Sequence, residues 1–211
     1  MAETQAAGPL PRRRTRAAGQ LSRQRVLARA ARLATIEGLE GLSVGKLAEA
    51  SGMPKSSVYE LFGSKEELQL ATIEAALESF TEEVITPALT HSSPGRDRLL
   101  ALCDGFLDYV ERRVFPGGCF FVGASAEMGG KGGRVHDRVA QLQLLWRDIL
   151  LGEAEQALRR AELPVGTDPA QLAFQLGTLL AGTNILSVLH DDYAVLDRAR
   201  AAVRAHLGLE A

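Results

Sequence analysis

Apolar residues recur every three or four positions along most of the chain, which is the spacing of an α-helix that buries one face. After Ser22, whose hydroxyl suits a helix N-cap, residues Val26, Leu27, Ala30 and Leu33 fall on one side of such a helix. Apolar and polar residues nowhere alternate for long, so the pattern indicates no β-strand. Alanine, leucine, glutamate and arginine are abundant and favour helix. We therefore predict an all-α protein.

Glycine and proline divide the early part of the chain into short helices. Gly52 suits the left-handed turn that closes one short helix, and Pro54 suits the first turn of the next. Gly63 ends this second short helix, and Ser64 begins a longer one. Two short helices joined by a glycine-containing turn predict a helix-turn-helix, and a second helix of about two turns fits the major groove of DNA.

The short helix between these breaks, KSSVYELF at 55–62, is predicted to have two distinct faces. Val58 and Phe62 are four residues apart and face inward together. The opposite face carries the polar side chains of Lys55, Ser56, Tyr59 and Glu60. Phosphates repel a carboxylate, so we expect Glu60 to point away from the DNA.

The net charge of −2 hides an uneven distribution. Residues 1–65 contain 11 lysines and arginines against 5 acidic residues, whereas residues 66–211 contain 13 against 21. This asymmetry predicts an N-terminal part that faces nucleic acid and an acidic body. We assign residues 1–20 to a flexible basic tail, 21–66 to a helix-turn-helix DNA-binding domain and 67–211 to a helical effector-binding and dimerisation domain. The tail either keeps the protein soluble or meets DNA phosphates.

Other classes of protein have less support. Cys103 and Cys119 have no cysteine or histidine at ligand spacing, so we expect two core thiols, no metal and no cofactor. The four histidines are dispersed and no catalytic constellation emerges, which disfavours an enzyme. Segment 169–189 is uncharged and long enough to span a bilayer, but its six polar residues favour a helix buried among other helices. Because no signal peptide is evident, we expect a cytoplasmic protein.

The larger domain is predicted to contain about six helices, and prolines at 87, 116 and 164 are expected to end three of them. The glycine-rich segment 129–133 lacks the spacing of a phosphate-binding loop, and we expect a flexible connection that gates a pocket. The predicted helices span residues 64–86, 96–114, 118–128, 134–163, 169–190 and 192–207.

Small residues recur every four positions on the helix at 169–190, and such a stripe lets two helices approach closely. Packing within one subunit and packing between subunits both fit the stripe, and we favour the second. The expected dimer interface, completed by the last helix, comprises Ala173, Gly177, Ala181, Leu196, Ala199 and Val203.

An apolar pocket is expected in the larger domain because aromatic residues, only 5% of the chain, concentrate between residues 106 and 146. Aromatic residues at helical spacing are more often plain core, but a pocket with few polar groups suits a hydrophobic ligand. The candidate ligand-binding residues are Cys103, Phe106, Tyr109, Phe120, Phe121, Trp146, Phe174 and Asn184.

The segment from about Ser22 to Ile73 resembles the DNA-binding domain of TetR-family bacterial transcriptional regulators. The resemblance rests on RQRVLARAARL, on EGLEGLSVGKLAEASGMPKSSVYELFGSKEEL and on the Tyr-x-x-Phe-x-x-Lys pattern near its end. The later FPGGCFF also recurs in some members. The resemblance implies a homodimer, each subunit having a three-helix DNA-binding domain and a larger helical ligand-binding domain.

The resemblance also implies which residues meet DNA. Two positions depart from the family pattern: Leu61 stands where His or Tyr is common, and Pro54 replaces the usual Ser. These departures imply one phosphate contact fewer and no side-chain cap for the short helix. The implied contacts are Lys55 and Ser56 at base edges, Ser57, Tyr59 and Lys65 on phosphate oxygens, and Ser43 and Lys46 close to the DNA backbone.

Together these observations predict a ligand-responsive, sequence-specific DNA-binding regulator. We expect a repressor that a small hydrophobic effector releases from its double-stranded operator. A redox sensor that uses Cys103 and Cys119 on the same scaffold is the alternative, and a helical enzyme is the least supported. Neither the operator nor the effector follows from the sequence.

Overall fold

The computed structural model describes the backbone of residues 12–209 and the side chains of residues 22–209. These residues form helices and no strand, which confirms the predicted fold class. The helices are α1 (Arg12–Glu37), α2 (Val44–Ser51), α3 (Lys55–Phe62), α4 (Lys65–Phe80), a π-helical turn (Thr81–Ile85), α5 (Thr86–His91), α6 (Arg96–Glu111), α7 (Phe120–Met128), α8 (Arg134–Arg159), α9 (Pro169–His190) and α10 (Ala194–His206).

Helices α1 to α3, which we term the head, share a small hydrophobic core with the start of α4. Val58 and Phe62 of α3 are 0% and 7% exposed, as their spacing predicts. They pack with Leu47 of α2 and Leu68 of α4. Burying both apolar residues of α3 leaves its polar face directed outward. We therefore call α3 the reading helix.

The ends of the short helices have the predicted chemistry. The Ser43 hydroxyl accepts a hydrogen bond from the Lys46 N–H at 3.2 Å and caps α2. Gly52 closes α2 in the left-handed conformation, with φ of 64°. Pro54 begins the reading helix without a side-chain cap. The Ser64 hydroxyl caps α4 through the Glu67 N–H at 3.1 Å.

Helices α4 to α10, which we term the body, enclose a second and larger core. Helix α9 packs against α8, α10, α6 and α7 and leaves one side exposed. The aromatic residues cluster around Phe80, whose ring lies 5.3 Å from that of Trp146 and 6.2 Å from that of Phe106, measured between centroids. The aromatic residues that the sequence concentrates between 106 and 146 therefore meet in one place.

Two boundaries differ most from the sequence prediction, while those of α6, α7, α8 and α10 differ by one to four residues. The backbone is helical from Arg12 rather than from Ser22, because the alanines and arginines before Ser22 are strong helix formers. The expected basic tail at 1–20 lies in part outside the described residues. Pro87 does not end its helix, because a π-helical turn precedes it and the Thr86 N–H donates to the Thr81 carbonyl.

Helix α9 is long and apolar enough to cross a membrane by length and composition alone. A core helix of a globular protein passes the same test, and α9 packs against four other helices. The expectation that α9 is enclosed by its neighbours is only partly met, because 39% of its most apolar window is buried.

Candidate functional site

The reading helix presents its polar face to solvent. Lys55, Ser56 and Glu60 are exposed, Tyr59 is 59% exposed, and Ser57 is partly buried. An exposed helix of eight residues with donors along one side fits a DNA groove. The predicted base-edge residues and the phosphate-contacting tyrosine therefore lie together on one accessible face.

The three lysines predicted to meet DNA differ in their partners. Lys46 pairs with the Glu37 carboxylate. Lys65 donates to the Glu40 carbonyl at 2.6 Å. Lys55 has no carboxylate within 4.0 Å among the described side chains. In the described head, Lys55 thus carries the least neutralised charge of the three.

Leu61 is partly buried against the core of the head. Its side chain therefore contributes to packing where the family pattern has a polar residue. From α1, the Arg23 guanidinium lies over the Phe62 ring, 5.3 Å from its centroid. This cation–π contact joins α1 to the reading helix and was not expected from the sequence.

The body contains an apolar cavity of about 60 Å³ between α4, α6, α7, α8 and α9. A volume of about 60 Å³ holds only a few water-sized groups, so a larger guest requires the walls to move. None of the described lining residues is charged. The lining comprises Leu77, Phe80, Ile85, Phe106, Cys119, Phe121, Val122, Leu142, Gln143, Leu145, Trp146, Ile149, Gly177, Leu180 and Ala181.

Three of the eight predicted ligand-binding residues line this cavity: Phe106, Phe121 and Trp146. The other five do not. Phe174 is 64% exposed on the outer side of α9.

Four predicted pocket residues are buried in the core for structural reasons. The Tyr109 ring packs edge-on against Phe80 and Phe115, and Phe120 also contacts Phe115. The Asn184 side-chain oxygen accepts the Cys119 N–H at 2.7 Å and so fixes the start of α7. Cys103 is fully buried on α6. Helical spacing places a residue inward but does not distinguish solid core from cavity wall.

Gln143 is the main polar group of the cavity, and sequence reasoning missed it. Its amide nitrogen donates to the Phe121 carbonyl at 3.1 Å and to the Ser125 hydroxyl at 2.6 Å. One glutamine on an amphipathic helix gives no local signal in the sequence. Only the contact between α8 and α7 makes it part of the site.

Both cysteines are buried free thiols. Burial raises the pKa of Cys119 to about 11, although the N–H groups of Val122 and Phe121 favour its thiolate. Burial also raises the pKa of Cys103 well above its ordinary value. Because the thiolate is the reactive form, neither environment favours oxidation.

The expected dimer interface needs correction. Leu196, Ala199 and Val203 are 0–2% exposed and pack inside the subunit, as does Ala173. Gly177 and Ala181 face α8 of the same subunit and line the cavity. Ala173, Leu196, Ala199 and Val203 therefore serve packing within the subunit, the alternative that the sequence left open, whereas Gly177 and Ala181 are only partly buried.

Large apolar side chains are left exposed along α8 and α9, and we term them together the apolar face. Each of its residues is at least 42% exposed. Large exposed apolar patches mark interaction surfaces. The apolar face comprises Leu144, Leu145, Leu158, Phe174, Ile185, Leu186 and Leu189.

The glycine-rich loop 129–133 does not line the cavity. It lies at the junction of head and body, where the Lys131 ammonium is 3.9 Å from the Glu40 carboxylate. Arg134, directly after the loop, donates to Glu66 and Glu67 of α4 at 2.6 Å. The expectation that this loop gates the pocket is therefore not supported, because its contacts are with the head and α4.

An exposed reading helix above a helical body with an internal cavity defines a ligand-responsive helix-turn-helix regulator. Residues 26–72 match the model for bacterial regulatory proteins of the tetR family, and residues 95–203 match the model for the Tetracyclin repressor-like, C-terminal domain. The second match spans just over half of the chain, so the chain belongs to the TetR family. Members of this family are dimeric, ligand-responsive transcription regulators that bind DNA, and they are typically not enzymes.

Solved structures agree with this assignment. A TetR transcriptional regulator from Chloroflexus aurantiacus J-10-FL is 26% identical, with a TM-score of 0.83 over 91% of this chain and 96% of that one. A TetR-family regulator from Cytophaga hutchinsonii is 21% identical, with a TM-score of 0.78 over 92% and 96%. AibR, solved with isovaleryl coenzyme A and operator DNA, is 20% identical, with a TM-score of 0.71 over 90% and 100%. A search of curated proteins found no significant match.

Proposed function

We propose that this protein is a dimeric repressor that a small, neutral, apolar effector releases from its operator. The observation that carries the proposal is the combination of an exposed, polar reading helix with an apolar cavity in the same subunit. Lys55 and Ser56 are proposed to read base edges, and Ser57 and Tyr59 to bind phosphates. Ser43, Lys46 and Lys65 are proposed to contact the DNA backbone beside them.

The lining of the cavity supports a neutral effector. A charged group would lose its hydration there, and no described lining residue carries a charge to compensate. AibR is bound to an acyl-coenzyme A, whose phosphates do not suit this cavity. Gln143 and Cys119 offer the polar contacts, so an effector with a single hydroxyl or carbonyl fits best.

The apolar face is the proposed dimer interface. Two copies of α8 and α9 would cover it in a four-helix arrangement, which buries side chains such as Phe174 and Leu189 that are 64% and 72% exposed in the single subunit. A dimer places two reading helices on one duplex, so the operator is expected to contain two related half-sites about one helical turn apart.

The test begins with selection of binding sequences from a random pool of duplex DNA, followed by anisotropy measurements on the enriched sequence. We expect Lys55→Ala to weaken binding about tenfold or more, because a base contact typically contributes about 1–3 kcal/mol. Arg159→Ala is the matched control, since Arg159 is an exposed cation at the far end of α8. Failure to enrich any sequence would overturn the proposal.

The effector class is tested by thermal shift with paired compounds, such as phenols and the corresponding benzoates. Neutral compounds are expected to raise the melting temperature and release DNA, whereas the carboxylates do neither. Ala181→Leu, which fills the cavity from α9, is expected to abolish the response. A response to the carboxylates alone would contradict the neutral class.

A further inference from the structure

The carboxylate of Glu127, at the end of α7, binds the backbone of the head. Its Oε2 accepts the Leu39 N–H at 2.7 Å, and its Oε1 accepts the Glu40 N–H at 2.8 Å. Gly38 has φ of 80°, and a Cβ at Gly38 would lie 3.0 Å from Glu127 Oε1. Two successive N–H groups that converge on one carboxylate form an anion-binding nest. One side chain of the body thus occupies a backbone site of the head.

This nest lies in the α1–α2 loop, only a few residues before α2. The Leu39 carbonyl also accepts the buried Gln69 amide of α4 at 2.9 Å. The loop is therefore held by α7 on one side and by α4 on the other. Because α2 packs directly on the reading helix, a shift of this loop changes the position of the reading helix.

The opposite end of α7 forms part of the cavity wall. Phe121 and Val122 line the cavity, and Gln143 bonds both the Phe121 carbonyl and the Ser125 hydroxyl. Ser125 is two residues before Glu127. Helix α7 has nine residues and is about 13 Å long, which is short enough to move as one rigid element.

We propose that Glu127 is the positioning residue that couples the cavity to the reading helix, with Gln143 holding α7 at the cavity end. The inference rests on the proposed function, in which the cavity receives the effector. An effector that displaces Phe121, or that forms a hydrogen bond with Gln143 in place of α7, shifts α7. The backbone at Leu39 and Glu40 then either moves with the Glu127 carboxylate or loses both hydrogen bonds to it. Either outcome moves the α1–α2 loop.

The ion pairs at the junction of head and body are weaker candidates for this role. The Lys131–Glu40 and Arg134–Glu66 pairs have exposed side chains, and exposed ion pairs contribute little. The Glu127 carboxylate is different because it is partly buried and both of its oxygens bind backbone N–H groups, which cannot turn away as a flexible side chain does.

Hydrogen exchange of the full-length protein tests the coupling without DNA or effector. We expect Glu127→Gln to raise the exchange rate of the Leu39 and Glu40 amides at least fivefold. Gln143→Leu alters a residue of the cavity wall, and we expect it to raise the exchange rate of the same two amides. The matched control is Glu83→Gln, because Glu83 pairs with Arg112 away from the head and its loss should leave those amides unchanged.

The double variant Glu127→Gln, Gln143→Leu distinguishes an effect that α7 transmits from a general destabilisation of the protein. If α7 carries the effect, Gln143→Leu adds less than twofold to the exchange of these amides once Glu127 is already Gln. The proposal is overturned if the exchange-rate increases of the two single variants multiply in the double variant. It is also overturned if Gln143→Leu leaves the exchange of the Leu39 and Glu40 amides unchanged. A melting temperature for each variant identifies global destabilisation, which would accelerate exchange in every helix rather than in this loop.

Operator affinity provides a second readout. Gln143→Leu and Glu127→Gln are each expected to weaken binding to the selected DNA at least fivefold, with the double variant close to the weaker single one. If no DNA sequence is selected, the proposed repressor function is rejected. The exchange data would still show whether the cavity is coupled to the α1–α2 loop. If the wild-type protein binds the selected DNA and the affinity losses of the two single variants multiply in the double variant, only the proposed coupling is rejected.

Discussion

At the scale of residues, the three lysines proposed to bind DNA differ in whether they pair with a carboxylate. Lys46 and Lys65 contact Glu37 and Glu40, whereas Lys55 has no carboxylate partner among the described residues. Exposed ion pairs contribute about 0–1 kcal/mol, so DNA phosphates can replace these carboxylates at small cost. The two paired lysines therefore remain proposed DNA contacts, but Lys55 gives up no ion pair on binding.

At the same scale, the two thiols are expected to be unreactive in the native protein. Because burial raises the pKa of Cys119 to about 11, the thiol form predominates at pH 8, and alkylation should accelerate as the pH rises towards 11. Iodoacetamide labelling followed by mass spectrometry should show little modification at pH 8 and complete modification in guanidinium. Rapid native labelling at pH 8 would instead revive the redox-sensor alternative.

At the scale of elements, α9 shows that periodicity predicts which residues share a face but not which neighbour that face contacts. Ala173, Gly177 and Ala181 belong to one i, i+4 row that continues to Ile185 and Leu189, and this row turns from the buried side of the helix to its exposed side. The structure places Ala173 inward and Phe174, the next residue, outward. The burial of Ala173 does not support its expected place in the dimer interface, because a helical pattern does not identify the neighbour that a face contacts.

Two glycines provide a test at the scale of elements. Gly52 closes α2 with positive φ and open space around it, so Gly52→Ala meets only backbone strain, about 1–2 kcal/mol. A Cβ at Gly117 would lie 1.8 Å from the Thr35 carbonyl of α1, so Gly117→Ala must separate α1 from the α6–α7 connection. We expect a loss of about 3 kcal/mol or more in the free energy of unfolding. Urea unfolding of both variants measures the difference, and equal losses would contradict the close approach.

At the scale of the whole molecule, the proposed dimer depends on a surface that one subunit leaves open. The apolar face holds seven large exposed side chains, and burial of each typically contributes about 1.5–3 kcal/mol. We expect the double variant Ile185→Arg, Leu189→Arg to sediment as a monomer and to lose operator binding, because one reading helix cannot span two half-sites.

Leu89→Arg is the matched control for the dimer. Leu89 is 48% exposed on α5, outside the apolar face, so its replacement should leave the dimer intact. Analytical ultracentrifugation at micromolar concentration distinguishes the two species. A double variant that still sediments as a dimer would show that another surface joins the subunits.

The sequence by itself determined the helical class, the helix-turn-helix, the polar face of the reading helix and the family. These features are local, because periodicity, caps such as Ser43 and Ser64, and breaks such as Gly52 act over a few residues. The tertiary structure decided which residues line the cavity, which face of α9 remains open, and that Glu127 reaches the head. Leu39 and Glu127 are 88 positions apart, and no local pattern specifies a contact over that separation.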